Sequence, residues 1–286
     1  MLELSFYAGF MDMLRKQGIE KTAAYAKEQG FTTVEFLELP FDEDSWVVKT
    51  PEEAAKVKDV LARYGLKVAC YSAAVDFWTR PDDVEGLKKM IPIVAALGCP
   101  YLHHMMIPWL KYPENAPSYE EALPYCLEKT VEVADYAKAY GVSVLYEGQG
   151  LYFNGVTGMK PFITALSKRC SNVGIVGDVG NPLFAGCAPE NFFKEFGPYI
   201  KHVHMKDYTI RQLEEDPGRG WLVTESGAHG IYVKEQMPGE GDIDLESCID
   251  VLKKMNYQGA VSLESAIPSQ EKLDGFKAWA AAKLDF

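Results

Sequence analysis

This chain has no cysteines placed to work as a pair. Its six, Cys70, Cys99, Cys126, Cys170, Cys187 and Cys248, form no CxxC and do not cluster. That argues against a thiol-based redox or metal site and leaves buried, reduced thiols of a cytoplasmic protein. Positive charge is also scarce. Lys and Arg number 29 against 41 Asp and Glu, a formal net charge of −12. A phosphate backbone needs clustered Lys and Arg, so nucleic acid is excluded as the expected partner. No apolar run is long enough to cross a membrane. The opening Met1-Leu2-Glu3-Leu4-Ser5 lacks a basic stretch leading into an apolar one, so no signal peptide is expected. No glycine-rich phosphate loop follows the first strand, where Tyr7-Ala8-Gly9-Phe10 stands. No linker or low-complexity run marks a boundary, so residues 1–286 read as one domain.

One unit recurs instead: an amphipathic helix, a glycine, then a short apolar strand ending in a polar residue. Gly30 leads to Val34-Glu35-Phe36, Gly65 to Lys67–Tyr71, Gly98 to Tyr101-Leu102-His103-His104, and Gly141 to Val142–Glu147. A glycine there suits a helix C-cap, where the backbone turns left-handed. Val173–Gly177 ends at Asp178, Ile200–Val203 at His204, and Ala260–Leu263 at Glu264. With Leu2–Tyr7 these make eight candidate strands. Between them Ala54, Val57, Leu61 and Tyr64 share a helical face, as do Leu87, Met90, Ile91 and Val94. Strands alternating with helices imply parallel strands with right-handed crossovers. Eight units predict a (β/α)8 TIM barrel, with an open doubly wound sheet as the alternative. Residues 208–240 break the rhythm. They are long and charged, with Arg211, Arg219, Trp221 and His229, and are read as a lid over the barrel mouth.

In such a barrel, reactive residues project from the C-terminal ends of strands. Glu35, His103, His104, Glu147, Asp178, His204 and Glu264 all occupy that end. Glu147, Asp178, His204 and Glu264, from four different strands, form an oxygen-rich set suited to one divalent ion: manganese first, with magnesium, cobalt or zinc as alternatives. Only one of His202 and His204 is expected to face the barrel axis. That place is given to His204, and His202 is packed between strand and helix. Of the neighbours His103 and His104, His104 is preferred for the site.

The motifs Tyr146-Glu147-Gly148, Gly177-Asp178-Val179-Gly180-Asn181, His202-Val203-His204-Met205-Lys206-Asp207, Pro238-Gly239-Glu240-Gly241-Asp242-Ile243-Asp244 and Ser262-Leu263-Glu264-Ser265 span the second half of the chain. In this order they resemble the xylose isomerase-like TIM barrels, which include sugar epimerases, hydroxypyruvate isomerase, inosose dehydratase and endonuclease IV. The first half matches in rhythm only. The resemblance implies that Glu147, Asp178, His204 and Glu264 hold the metal and that Glu147 and Glu264 are also the acid/base pair. It makes Glu240 a substrate-binding or supporting position and Lys206 a lysine shared with the dehydratase-like and isomerase-like branches. Two positions depart from the epimerases: Asn181 stands where they carry histidine, and Tyr208-Thr209-Ile210 where they carry arginine. Endonuclease IV needs many histidines for three zinc ions, and this chain has five.

A metal held by a carbonyl and an adjacent hydroxyl acidifies the carbon they share. One carboxylate can then remove its proton and another return it, through an enediolate. The expected activity is therefore isomerisation or epimerisation of an unphosphorylated sugar or keto-polyol. Expulsion of hydroxide would instead make a dehydratase or lyase, and a non-catalytic sugar-binding barrel is the third reading. His104, Asn181, Lys206, Glu240 and Trp109 are the candidate substrate contacts. A homo-oligomer is the default assembly.

Overall fold

The computed structural model describes residues 2–224, 230–267 and 269–285. Seven strands come first: β1 (Glu3–Phe6), β2 (Thr33–Glu38), β3 (Lys67–Ala73), β4 (Tyr101–His104), β5 (Ser143–Glu147), β6 (Val173–Asp178) and β7 (Ile200–Met205). Three more follow, β8 (Asp207–Gln212), β9 (Leu222–Thr224) and β10 (Ile231–Gln236), before β11 (Ala260–Leu263). β1 to β7 and β11 close into a barrel of parallel strands in the order β1-β11-β7-β6-β5-β4-β3-β2. The expected (β/α)8 barrel is what forms.

The outer ring holds α1 (Phe10–Glu28), α2 (Pro51–Arg63), α3 (Asp83–Ala96), α4 (Tyr119–Lys138), α5 (Gly155–Ser167), α6 (Pro189–Phe196), α7 (Leu245–Lys254) and α8 (Gln270–Lys283). Their starts are written locally. Thr50 accepts the N–H of Glu53 with Pro51 in the first turn. Ser118 and Glu121 exchange the two hydrogen bonds of a capping box. The repeat glycines Gly30, Gly65, Gly98 and Gly141 have φ of 71 to 85°, which a side chain would strain. Strands of a barrel are covered on both sides, so they read as apolar runs without alternation. All six residues of β6 are buried. Among the described residues no helix is long and apolar enough to cross a membrane.

Strands β8, β9 and β10 form a separate antiparallel sheet in the order β8-β10-β9. A small core of Phe184, Tyr208 and Val233 ties it to the turn after β6. His229, singled out in the sequence, lies outside the described residues. Asp207, where β8 begins, clamps the stretch that follows the sheet. Its Oδ2 accepts the N–H groups of Gly239 (3.0 Å) and Gly241 (2.9 Å), and its Oδ1 those of Tyr208 (2.8 Å) and Ile243 (3.2 Å). A Cβ at Gly241 would overlap that carboxylate. The Lys-Asp and Gly-Glu-Gly-Asp motifs are thus two halves of one structural clamp. Asp207→Ala leaves four N–H groups without their acceptor and should lower unfolding stability by about 3 kcal/mol, read from urea midpoints at constant m-value.

Candidate metal centre

Glu147 and Asp178 are the last residues of β5 and β6, His204 lies near the end of β7, and Glu264 directly follows β11. These strands are neighbours in the ring, so four residues distant in sequence converge. One ligand atom from each lies within 4.8 Å of all the others. His204 Nδ1 is 2.8 Å from Glu147 Oε1, 3.2 Å from Glu264 Oε2 and 4.0 Å from Asp178 Oδ2. Asp178 Oδ1 accepts the N–H groups of Gly180 (2.7 Å) and Asn181 (2.6 Å), which turns Oδ2 toward the cluster.

Lys206 closes the group. Its Nζ is 3.0 Å from Asp178 Oδ2, from Glu264 Oε2 and from Asn181 Oδ1. The two carboxylate oxygens are close to this ammonium, yet neither receives a well-directed hydrogen bond. Burial works against the lysine's charge, but the Asp178 and Glu264 carboxylates hold its pKa well above the usual value. His204 behaves alike: burial opposes its charge, and Glu35, Glu264 and Glu147 prevail and raise it. Asp178 is pushed up by burial, against Lys206 and with the help of Glu264 and Glu147. Glu264 moves down: burial opposes, and Lys206 and His204 win.

Three carboxylates, one imidazole and two under-satisfied buried oxygens fit a hard divalent ion. Glu147, Asp178, His204 and Glu264 would hold it, because an ion replaces the positive charge that protons otherwise supply.

Other expected positions fall differently. His202 faces the barrel interior together with His204. Side chains two residues apart in a strand share a face, so packing it against a helix was the wrong expectation. Its Nε2 is 2.8 Å from Glu35 Oε2. His103, not His104, turns toward the cluster, with Nε2 3.8 Å from Glu147 Oε2. His104 points outward against Phe77 and Tyr146, its Nδ1 2.6 Å from the Met105 carbonyl. Glu240 is exposed and paired with Lys272 of α8 at 2.7 Å. The indole N–H of half-buried Trp109 goes to Asp76 Oδ2 at 2.7 Å, and its ring meets Tyr152 edge-on. Asn181 is buried beside Lys206. A cavity of about 330 Å³ opens among the loops after β4, β5 and β6, lined by Tyr112, Tyr152, Asn154 and Phe184.

The structure also brings in residues the sequence reading left without a role. Glu35 lies within β2, completely buried, and reaches both His202 and His204. Ser72 and Ser262 bond to it. Tyr7 stacks on the His204 ring at 5.0 Å. The strand position of Glu35 was visible. Its partners were not, because they sit on β3, β7 and β11.

A family model described as xylose isomerase-like TIM barrel matches residues 23–282. The chain belongs to that family. Among curated members, it is similar to the inosose dehydratase of Bacillus anthracis, 28% identical over 192 residues. That match takes in 66% of this chain and 62% of the relative, so the chain spans less than two thirds of the relative's length. Two solved structures align over nearly the whole chain. The IolI protein, solved with a zinc atom, gives a TM-score of 0.72 at 18% identity, covering 99% of this chain and 98% of its own. The 3-keto-D-glucoside 4-epimerase YcjR from E. coli gives 0.72 at 16% identity, covering 100% of both chains. At such identities these two likenesses speak to the fold. A His/Asp/Glu group whose ligand atoms lie close enough to hold a metal ion is present in this chain.

Proposed function

We propose that this chain is a divalent-metal-dependent isomerase or epimerase of a small, unphosphorylated sugar or keto-polyol. The observation that carries the reading is the convergence of Glu147, Asp178, His204 and Glu264 at the C-terminal end of the barrel. A bound divalent ion, manganese first, would supply Lewis acidity. Asp178 and His204 would hold it. Glu147 and Glu264, which reach the site from β5 and from beyond β11 on either side of β6 and β7, hold it too. They are also the pair that takes a proton from the carbon beside the carbonyl and returns it. Asn181 and Lys206 bind substrate oxygens from the β6 and β7 side, and Trp109 borders the approach. The β8-β10-β9 sheet serves as the lid, and residues 1–286 act as one domain.

A second reading, loss of water, is favoured by Lys206. Its buried ammonium sits 3.0 Å from Glu264 Oε2 and is placed to give a proton to a departing hydroxyl. The similarity to an inosose dehydratase points the same way. Incubating the manganese-loaded protein with keto sugars and inososes in D2O separates the two. Proton NMR should show deuterium entering the carbon beside the carbonyl with the carbon skeleton and oxygens kept. Loss of water with a new conjugated absorbance would establish the dehydratase instead. No exchange with any keto sugar or inosose, despite a bound ion, would leave only a sugar-binding barrel.

A further inference from the structure

The candidate metal centre rests on a deeper layer of polar groups, and the hydrogens of that layer can be counted. Glu35 Oε1 is 2.7 Å from Ser72 Oγ and 3.0 Å from His204 Nε2. Its Oε2 is 2.8 Å from His202 Nε2 and accepts from Ser262 Oγ. A carboxylate has about four acceptor positions and donates nothing. Every one of these partners therefore carries the hydrogen.

The consequence passes to two histidines. Ser72 has one hydroxyl hydrogen, and it points at Glu35. Its oxygen is 2.8 Å from His103 Nδ1, so that nitrogen must be the donor. A neutral ring with hydrogen on Nδ1 has a bare lone pair on Nε2. His103 Nε2 is buried, has no hydrogen-bond partner and lies 3.8 Å from Glu147 Oε2. His204 donates from Nε2, so the nitrogen it can give up to an ion is Nδ1, which without metal donates to Glu147 Oε1 at 2.8 Å and lies on the side of Glu147, Asp178 and Glu264.

We propose that Glu35 is a positioning residue that fixes both tautomers at once: His204 then offers Nδ1 to the divalent ion, and His103 offers Nε2 as acceptor for a substrate hydroxyl beside Glu147. The His103 role rests on the proposed function; the tautomers do not. Glu35, His202 and His204 also have ligand atoms close enough to hold a cation. The atoms with which they face one another are all hydrogen-bonded, however, whereas His103 Nε2, Asp178 Oδ2 and Glu264 Oε2 are not. The unfilled capacity lies on the mouth side.

The test uses protein labelled with 15N-histidine, without metal and with zinc, which is diamagnetic. In wild type, His103 should show a hydrogen-bearing Nδ1 and a bare Nε2 in both states, and His204 a hydrogen-bearing Nε2 when zinc is bound. Glu35→Gln, whose amide must donate to one of these partners, should weaken zinc binding roughly 10–100-fold, as for other residues that orient a ligating histidine. Ser72→Ala cuts only the branch to His103. It should leave zinc affinity near wild type while the His103 ring loses its single tautomer, which keeps the inference open to refutation if Glu35→Gln does not fold. A wild-type His103 bearing its hydrogen on Nε2 would overturn the proposal. So would wild-type zinc affinity in Glu35→Gln, or two zinc ions per chain with one lost in that variant. Wild-type protein that binds no zinc would overturn the proposed function, while the His103 tautomer is still read in the metal-free spectrum.

Discussion

Asp178→Asn combined with Glu264→Gln is expected to abolish stoichiometric binding of a divalent ion and to lower any solvent-exchange activity roughly 10³-fold or more. Two of the four converging ligands become neutral amides, and one member of the acid/base pair goes with them. Elemental analysis of purified wild type should find about one ion per chain; the double variant should retain none. A variant that keeps its ion would place the metal elsewhere and end the proposed mechanism. Binding in the wild type should also depend on pH. Without metal, the Glu35, Glu264 and Glu147 carboxylates raise His204 despite its burial, and burial raises Asp178. Both hold protons that an ion must displace, so affinity should fall about tenfold per pH unit for each proton released as the medium is acidified. The sign for stability follows from the same shifts. The imidazolium's contribution is complete below the ordinary histidine value of about 6.5 and fades as pH climbs through the raised one. Asp178, also raised, acts in the same direction. Protein kept in chelator should therefore lose stability toward alkaline pH, where the metal-loaded form is most favoured. Isothermal titration and thermal melts between pH 5 and 9 would show both trends; an affinity indifferent to pH would mean that no proton is displaced.

Lys206→Met is expected to destabilise the metal-free protein by about 3–5 kcal/mol, the cost of leaving buried charge without its partner. The side chain is 6% exposed and its ammonium lies 3.0 Å from two carboxylate oxygens. Methionine nearly fills the space but leaves Asp178 and Glu264 facing each other. A divalent ion bound to those same oxygens should recover much of the loss. The check is a pair of denaturant curves for wild type and variant, one in chelator and one with saturating manganese. An equal loss in both conditions would show that the lysine's place is ordinary packing and not charge balance. A loss confined to chelator would show that ion and lysine share the task of neutralising one acidic cluster.

Much of this molecule could be read from the chain alone. The helix–glycine–strand phrase is local: a left-handed cap at Gly30 or Gly141 and an apolar run behind it need no distant partner to be recognised. Repetition of that phrase set the barrel, and the barrel set which end carries chemistry. Because each strand stops at its own polar residue, Glu147, Asp178, His204 and Glu264 stood out as a group, and they do converge. What the chain could not decide was which way its barrel strands turn. Both faces of such a strand are covered, so apolar residues on either side of His103 and His104 give no parity, and it is His103 that turns toward the cluster. His202 needed only the two-residue period to be placed beside His204. Glu240 illustrates the converse: a motif residue drew attention, while the clamp that explains the motif belongs to Asp207. The deep layer of Glu35, Ser72, His202 and Ser262 was beyond reach for a physical reason. Its bonds join residues as far as 227 positions apart, and such pairings exist only once the sheet has closed on itself. Sequence determined the repeat, the barrel and the candidate ligand set; tertiary structure decided facing and charge balance, because those depend on neighbours that only closure supplies.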